Sequence, residues 1–221
     1  MSEAANGKYL VIEGSDGSGK TTQAKRLIEA LTANGVSSKE LIEPGGTPIG
    51  RLLRGIILDP ELQKQPESEF DLFTVSRREL ARQVIQPEVS NGTTVVCDRN
   101  WFSSVAYQGF GWGLDVRMII ERTKQAMGDY FMPDGVVILE VPLDVAEERI
   151  SNRTKADWFE KQGREFFEKV RQGYQWLAEH FDITVVDGTP SVDEVADKVF
   201  SYLGDTATFA LLDSISQRNL S

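Results

Sequence analysis

Gly14-Ser15-Asp16-Gly17-Ser18-Gly19-Lys20-Thr21 is the stretch on which the fold turns. It fits the pattern G-x-x-x-x-G-K-[ST]. Tyr9-Leu10-Val11-Ile12 precedes it as a short, continuous apolar run. Ala24, Leu27, Ile28 and Leu31 follow it at i, i+3, i+4 and i+7, which predicts an amphipathic helix, and Gly35 is placed to stop that helix. Strand, glycine-rich loop and helix N-terminus together make an anion cradle. The glycines let backbone N–H groups approach a phosphate, and the helix end adds positive potential. Lys20 can neutralise terminal phosphate oxygens and the Thr21 hydroxyl can ligate a hard cation. A Gly-rich turn matching this pattern by chance is expected about once in a hundred chains of this length, and the flanking strand and helix make it rarer. The loop implies a nucleoside triphosphate but not the reaction, because GTPases, ATPases and kinases all use it.

Outward from the loop, Thr93-Thr94-Val95-Val96-Cys97, Val136-Val137-Ile138-Leu139 and Ile183-Thr184-Val185-Val186 are further continuous apolar runs, and Lys39 to Ile42 is a weaker one. Continuous runs predict strands covered on both faces, as in a parallel sheet. Helical patterns separate them over 66–90, 115–127, 143–152, 163–180 and 191–203, with a possible last helix in the tail 205–221. Alternating strands and helices predict a doubly wound α/β sheet. No Pro/Gly-rich linker divides the 221 residues, so a single domain is expected, with its core over about 8–203.

The composition excludes several function classes. With 24 Lys+Arg against 34 Asp+Glu, the formal charge is −10, which argues against nucleic acid and against an anionic membrane surface. One Cys rules out a disulfide framework and a Cys-rich zinc site, and it suits a reducing, cytoplasmic setting. One His, His180, rules out chemistry that needs several imidazoles. Met1 to Gly7 has no apolar targeting region, and no window approaches the ~20 apolar residues of a membrane span.

A second constellation sits at the ends of other predicted strands. Glu43-Pro44-Gly45-Gly46-Thr47 follows the second, Cys97-Asp98-Arg99 closes the third, and Ser103-Ser104-Val105-Ala106-Tyr107-Gln108-Gly109 comes shortly after. Loops at the carboxyl ends of strands line the ligand crevice of such sheets. An Asp there can hold a metal's hydration shell, and an adjacent Arg can clamp a second phosphate. The order of these elements is what makes the resemblance specific: phosphate loop, E-P-G-G-T, an aromatic followed four residues later by Arg (Phe73, Arg77), then D-R-x-x-x-S-x-x-A-Y-Q-G and a later polar, basic segment. Over roughly residues 8–203 the chain resembles the thymidylate kinases.

That resemblance implies a P-loop fold with strand order 2-3-1-4-5, homodimers, and Mg²⁺-dependent transfer of the ATP γ-phosphoryl group to the 5′-phosphate of dTMP. The ATP site would comprise Gly14, Ser15, Asp16, Gly17, Ser18, Gly19, Lys20, Thr21 and Thr22, with Arg149 and Arg153 from a lid over 149–164. Thr21 and Asp98 would hold the metal. Phe73 would stack on thymine, Arg77 would bond a base edge, and Pro44 would border the base pocket. Arg54 and Arg99 would hold the acceptor phosphate. Tyr107 would crowd the sugar 2′ position, Asp16 would bind a sugar hydroxyl or water around the metal, and Ser103, Ser104 and Gln108 would help line the pocket. Lys20, Arg99, Asp16 and Arg153 would carry catalysis.

The chain departs from the family in three places. Ile42 stands where many members have Arg, Gly17 where eukaryotic members have Arg, and Trp158 follows Asp157 where bacterial members commonly have Arg. Arg149, Arg153, Lys155, Lys161 and Arg164 remain as lid cations, with Glu160 a lesser candidate in the same segment. Taken alone, several of these residues have plainer readings. Phe73 at helical spacing from Phe70 can be core, and Arg77-Arg78 can be a solvated helix face. Tyr107 can be a packed aromatic, and Gly109, Gly111 and Gly113 can mark a loop. His180 reads as a helix-end residue, Cys97 as a buried strand residue, and Glu147-Glu148 and Asp193-Glu194 as solvated helix positions. Two rival functions stay open on the sequence: a P-loop kinase with another acceptor, and a nucleotide-binding regulator without transfer activity.

Overall fold

The computed structural model describes residues 7–151, 159 and 162–204. The apolar runs form strands β1 (Tyr9–Gly14), β2 (Ser38–Ile42), β3 (Thr94–Asp98), β4 (Gly135–Glu140) and β5 (Thr184–Asp187). They hydrogen-bond in the order β2-β3-β1-β4-β5, and every pairing is parallel. This is the arrangement the resemblance implies. β1 and β3 are buried along their whole length, as continuous runs require. β5 departs from that expectation: it is a sheet edge, and Val185 is 43% exposed.

Alternation along β1 divides the core in two. Leu10 and Ile12 face Leu27 and Leu31 of α1 (Lys20–Ala33) and Val195 and Val199 of α9 (Val192–Val199). Tyr9 and Val11 belong to the larger cluster on the opposite face, with Phe70, Trp101, Phe102 and Leu177.

The long helical pattern over 66–90 is one continuous rod in three parts: α3 (Pro66–Leu80), a π-helical turn (Ala81–Ile85) and α4 (Gln86–Ser90). Pro87 has no N–H to give the carbonyl four residues back, and a wider turn accommodates that. Phe70, Phe73, Leu80 and Ile85 all point into the core of the chain itself. Two helices were not foreshadowed by the apolar pattern. α2 (Pro48–Leu58) starts at Thr47, whose hydroxyl accepts from Gly50 N at 2.9 Å, and Pro48 occupies its first position. The glycine-bearing segment that reads as a loop is helical too: α5 (Trp101–Ser104) runs directly into a π-helical stretch, Val105–Gly111. The remaining helices are α6 (Val116–Met127), α7 (Leu143–Ser151) and α8 (Arg164–Phe181). The expected tail helix over 205–221 lies outside the described residues.

α8 lies tightly on the Val105–Gly111 stretch because Gly173 has no side chain. A Cβ there would meet Ala106 Cα at 2.8 Å and Phe110 at 3.1 Å. Backbone atoms cannot step aside as a flexible side-chain end can. Gly173→Ala is therefore expected to lower the unfolding free energy by about 1–3 kcal/mol, measured by urea denaturation against the parent chain.

Candidate active site

Strand register brings the predicted site residues together. Asp98 pairs with Ile12 on one side and Ile42 on the other, so Glu13-Gly14, Arg99 and Glu43-Pro44 leave the sheet side by side. The Glu43-Pro44 peptide is cis.

In the phosphate loop, Gly17 has φ +79°, and a Cβ on it would sit 2.7 Å from the Ala146 carbonyl oxygen. An arginine at this position would thus collide with α7, which accounts for one departure from the family pattern. Lys20 is buried, and its ammonium donates to the Ser15 carbonyl at 2.8 Å. Burial, followed by the nearby Arg99 guanidinium, lowers its pKa to about 8. The Thr21 hydroxyl donates to Asp98 Oδ2 at 2.5 Å. These two hard oxygens at the mouth of the loop suit a cation such as Mg²⁺ that takes its other ligands from phosphates and water. Among the described residues no group of three or more His, Cys, Asp or Glu forms a protein-only metal cage. Arg149 on α7 donates to the Gly17 carbonyl at 3.3 Å and to the Gly188 carbonyl at 3.0 Å, so this expected ATP-site cation stands at the loop. Thr22 is exposed on the first turn of α1. Arg153, Lys155, Asp157, Trp158, Glu160 and Lys161 lie outside the described residues.

Arg99 is the centre of the second half of the site. Its φ is +75°, a left-handed conformation that costs a non-glycine residue energy and persists only where surroundings enforce it. Its Nη2 donates to Asp16 Oδ1 at 2.6 Å. Its Nη1 donates to Gly14 O at 3.0 Å, Ser103 Oγ at 2.9 Å and the Tyr174 hydroxyl at 3.0 Å. The Tyr107 hydroxyl donates to Asp16 Oδ2 at 2.8 Å. Burial alone would raise the Asp16 pKa, but Arg99, Lys20 and the Tyr107 hydrogen bond outweigh it and bring it to about 2. Beneath lies Glu13, fully buried, which accepts from Asn100 N at 2.6 Å, Ser103 Oγ at 2.7 Å and the Tyr174 hydroxyl at 3.0 Å.

A cleft of about 710 Å³, partly open to solvent, joins these groups. Asp16, Lys20, Thr21, Pro44, Arg54, Phe73, Asp98, Arg99, Ser103, Tyr107 and Gln108 all line it, as do Ile42, Glu43, Leu58 and Phe159. Phe73 packs in the core, as its plainer reading has it, and also lines the cleft. Phe159 completes an aromatic wall, with ring centres 6.3 Å from Phe73 and 5.3 Å from Tyr107. Gln108 gives its Nε2 to the buried Glu69 at 2.8 Å, and its Oε1 has no partner.

Two expected pocket residues stand behind the wall instead. Arg77 is fully buried and does not line the cleft. It is paired with Glu43 and donates to Ser104 Oγ at 3.0 Å, which leaves its Nη1 without a partner. Ser104 is likewise buried outside the cleft lining. Burial raises the Glu43 pKa against the pull of Arg77. The sequence reading missed Glu13, Glu69 and Tyr174 altogether. Their signal is a partnership across the fold: Tyr174 lies 161 residues from Glu13. The plain readings of Cys97 (buried) and His180 (exposed, its ring nitrogen 2.8 Å from the Trp176 carbonyl) agree with the structure.

A phosphate loop facing the Arg99 guanidinium across an aromatic-walled cleft is an arrangement that fits the P-loop nucleotide-binding enzymes. Comparison with known proteins narrows that class. The family model described as Thymidylate kinase matches residues 12–199. The chain is 39% identical over 193 residues to a thymidylate kinase of Kosmotoga olearia, covering 86% of this chain and 92% of the relative. It is 36% identical over 203 residues to one of Deinococcus radiodurans, covering 91% and 98%. The chain belongs to the thymidylate kinase family, the phosphotransferases that convert dTMP to dTDP.

The depressed Asp16 pKa has a consequence for stability. The contribution is complete above the unfolded value of 3.8 and is lost as pH falls through about 2. On acidification from about pH 5 to about pH 3, the gap in unfolding free energy between the parent and Asp16→Asn should narrow by about 1 kcal/mol. Denaturant titrations of the two proteins at both pH values measure it.

Proposed function

We propose that this chain transfers the γ-phosphoryl group of ATP to the 5′-phosphate of dTMP, with the residues of the cleft in definite roles. The observation that carries the reading is the convergence of Lys20, Arg54 and Arg99 on one cleft whose far wall is Phe73. A triphosphate on the loop and a nucleotide whose base lies on Phe73 would then bring their phosphates together between these cations. An acceptor phosphate oxygen attacks the γ-phosphorus, the bond to the β-phosphate oxygen breaks, and ADP leaves with that electron pair. The step needs positioning and cationic stabilisation rather than proton transfer by a side chain, so a chain with one His can perform it.

Lys20 and Arg149 would bind the ATP phosphates, with the phosphate-loop backbone from Gly14 to Thr22. Thr21 and Asp98 would hold Mg²⁺, which when bound supplies further charge neutralisation. Arg99 and Arg54 clamp the acceptor phosphate. Asp16 binds the sugar hydroxyl, and the Tyr107 ring crowds the 2′ position. The free Gln108 Oε1 is an acceptor suited to the thymine N3–H, with Pro44 and Ser103 shaping the pocket. Arg77 would set the pocket wall from behind, through Glu43, which lines the cleft, and Ser104. Arg153 supplies the lid cation at the γ-phosphate. The enzyme is cytoplasmic, acts on neither nucleic acid nor membranes, and works as a single domain. Among the described residues no helix is long and apolar enough to cross a membrane.

The chain is also proposed to pair with a second copy through α2. Ile49, Leu52 and Ile56 lie at i, i+3 and i+7, on one side of the helix, and are 46%, 73% and 43% exposed. The largest apolar residues of the long rod over 66–90 lie inside the chain instead.

A coupled ADP-release assay with ATP·Mg²⁺ and a panel of nucleoside monophosphates tests the reading. dTMP should elicit the fastest turnover. Faster turnover with UMP or CMP would overturn the acceptor, and ADP no greater than with buffer would leave a nucleotide-binding regulator. Arg153→Ala should lower kcat by roughly 100-fold or more with little change in dTMP affinity. Leu52→Glu should shift the sedimentation coefficient from dimer to monomer.

A further inference from the structure

The support beneath Arg99 is built from two hydroxyls held between opposite charges. A hydroxyl has one proton to give and lone pairs to accept with. Ser103 Oγ gives its proton to Glu13 Oε2 at 2.7 Å, and the Tyr174 hydroxyl gives its proton to the same oxygen at 3.0 Å. The two hydroxyl oxygens also lie 3.0 Å from one another, and with their protons turned to a fully buried carboxylate each presents lone pairs outward. Arg99 Nη1 donates to both, at 2.9 Å and 3.0 Å. Without Glu13, either hydroxyl could rotate and point its proton at the guanidinium. Tyr174 comes from α8, 75 residues beyond Arg99, and Gly173 beside it is what allows α8 to approach.

We infer that Tyr174 is a positioning residue for the acceptor-phosphate clamp, acting with Glu13 to fix the Arg99 guanidinium before substrate arrives. An arginine side chain loses considerable rotamer freedom when ordered. Fixing it in the free enzyme removes that cost from the binding step. The left-handed backbone at Arg99 is held by the same surroundings: Gly14, Ser103 and Tyr174 all accept from its side chain. This inference rests on the proposed role of Arg99 as the clamp for the acceptor phosphate.

The test compares two ligands that differ only in that phosphate. The Kd values of dTMP and thymidine are measured calorimetrically on the full chain, on Tyr174→Phe and on Glu13→Gln. Tyr174→Phe keeps the ring and its packing and removes only the hydroxyl. Wild type should prefer dTMP over thymidine, and Tyr174→Phe should shrink that preference about tenfold, as loss of a hydrogen bond to a charged group implies, while thymidine binds as before. Glu13→Gln should move the ratio in the same direction. An unchanged ratio in both variants, or equal weakening of both ligands, would overturn the inference and leave Tyr174 a packing residue. A wild-type ratio near one would instead overturn the role of Arg99 itself.

Discussion

Asp98 stands in register with Ile12 and Ile42 at once, and the site depends on that parallel alignment. A slip of one residue on β3 would turn Asp98 to the other face of the sheet. Thr21 would then lose its partner, and Arg99 would leave the strand pointing away from the phosphate loop. The apolar runs that fix the register carry no chemistry of their own. They work by being buried on both faces, which keeps Val95, Val96 and Cys97 out of water.

The electrostatics follow from the same convergence. A chain of net charge −10 concentrates Lys20, Arg54 and Arg99 in one cleft, and the local field there is what an anionic ligand meets. The cations are not left bare. Asp16 pairs with Arg99, Glu43 with Arg77, and Asp98 lies beside Lys20 and Thr21. Each of these buried cations thereby has a carboxylate beside it, as the cost of burying an unpaired ion requires.

Much of this was legible in the sequence. The strands announced themselves as continuous apolar runs, and even the weak run at Lys39 to Ile42 paired as β2. The phosphate loop declared its position by its neighbours, and the D-R and A-Y-Q-G segments reached the cleft as the resemblance implied. What was illegible was of two kinds. α2 and the helical stretch 101–111 were hidden by glycines and by apolar residues without a clear period, although Thr47-Pro48 is a helix-start signal. Glu13, Glu69 and Tyr174 were hidden because each gains its meaning from a partner far along the chain, which no local pattern records. Arg77 shows the opposite limit: the motif picked out the residue, but its burial behind Glu43 is a property of packing.

The bond between Tyr174 and Glu13 also bears on how the protein comes into being. The phosphate loop and Arg99 leave the ribosome within the first hundred residues, and α1 and the three strands that carry them can pair early. The floor under Arg99 cannot be laid until α8 has emerged, 161 residues after Glu13. Until then Glu13 lacks the Tyr174 hydroxyl and Arg99 lacks one of its acceptors. A nascent chain can therefore present the phosphate loop well before the support beneath Arg99 is complete.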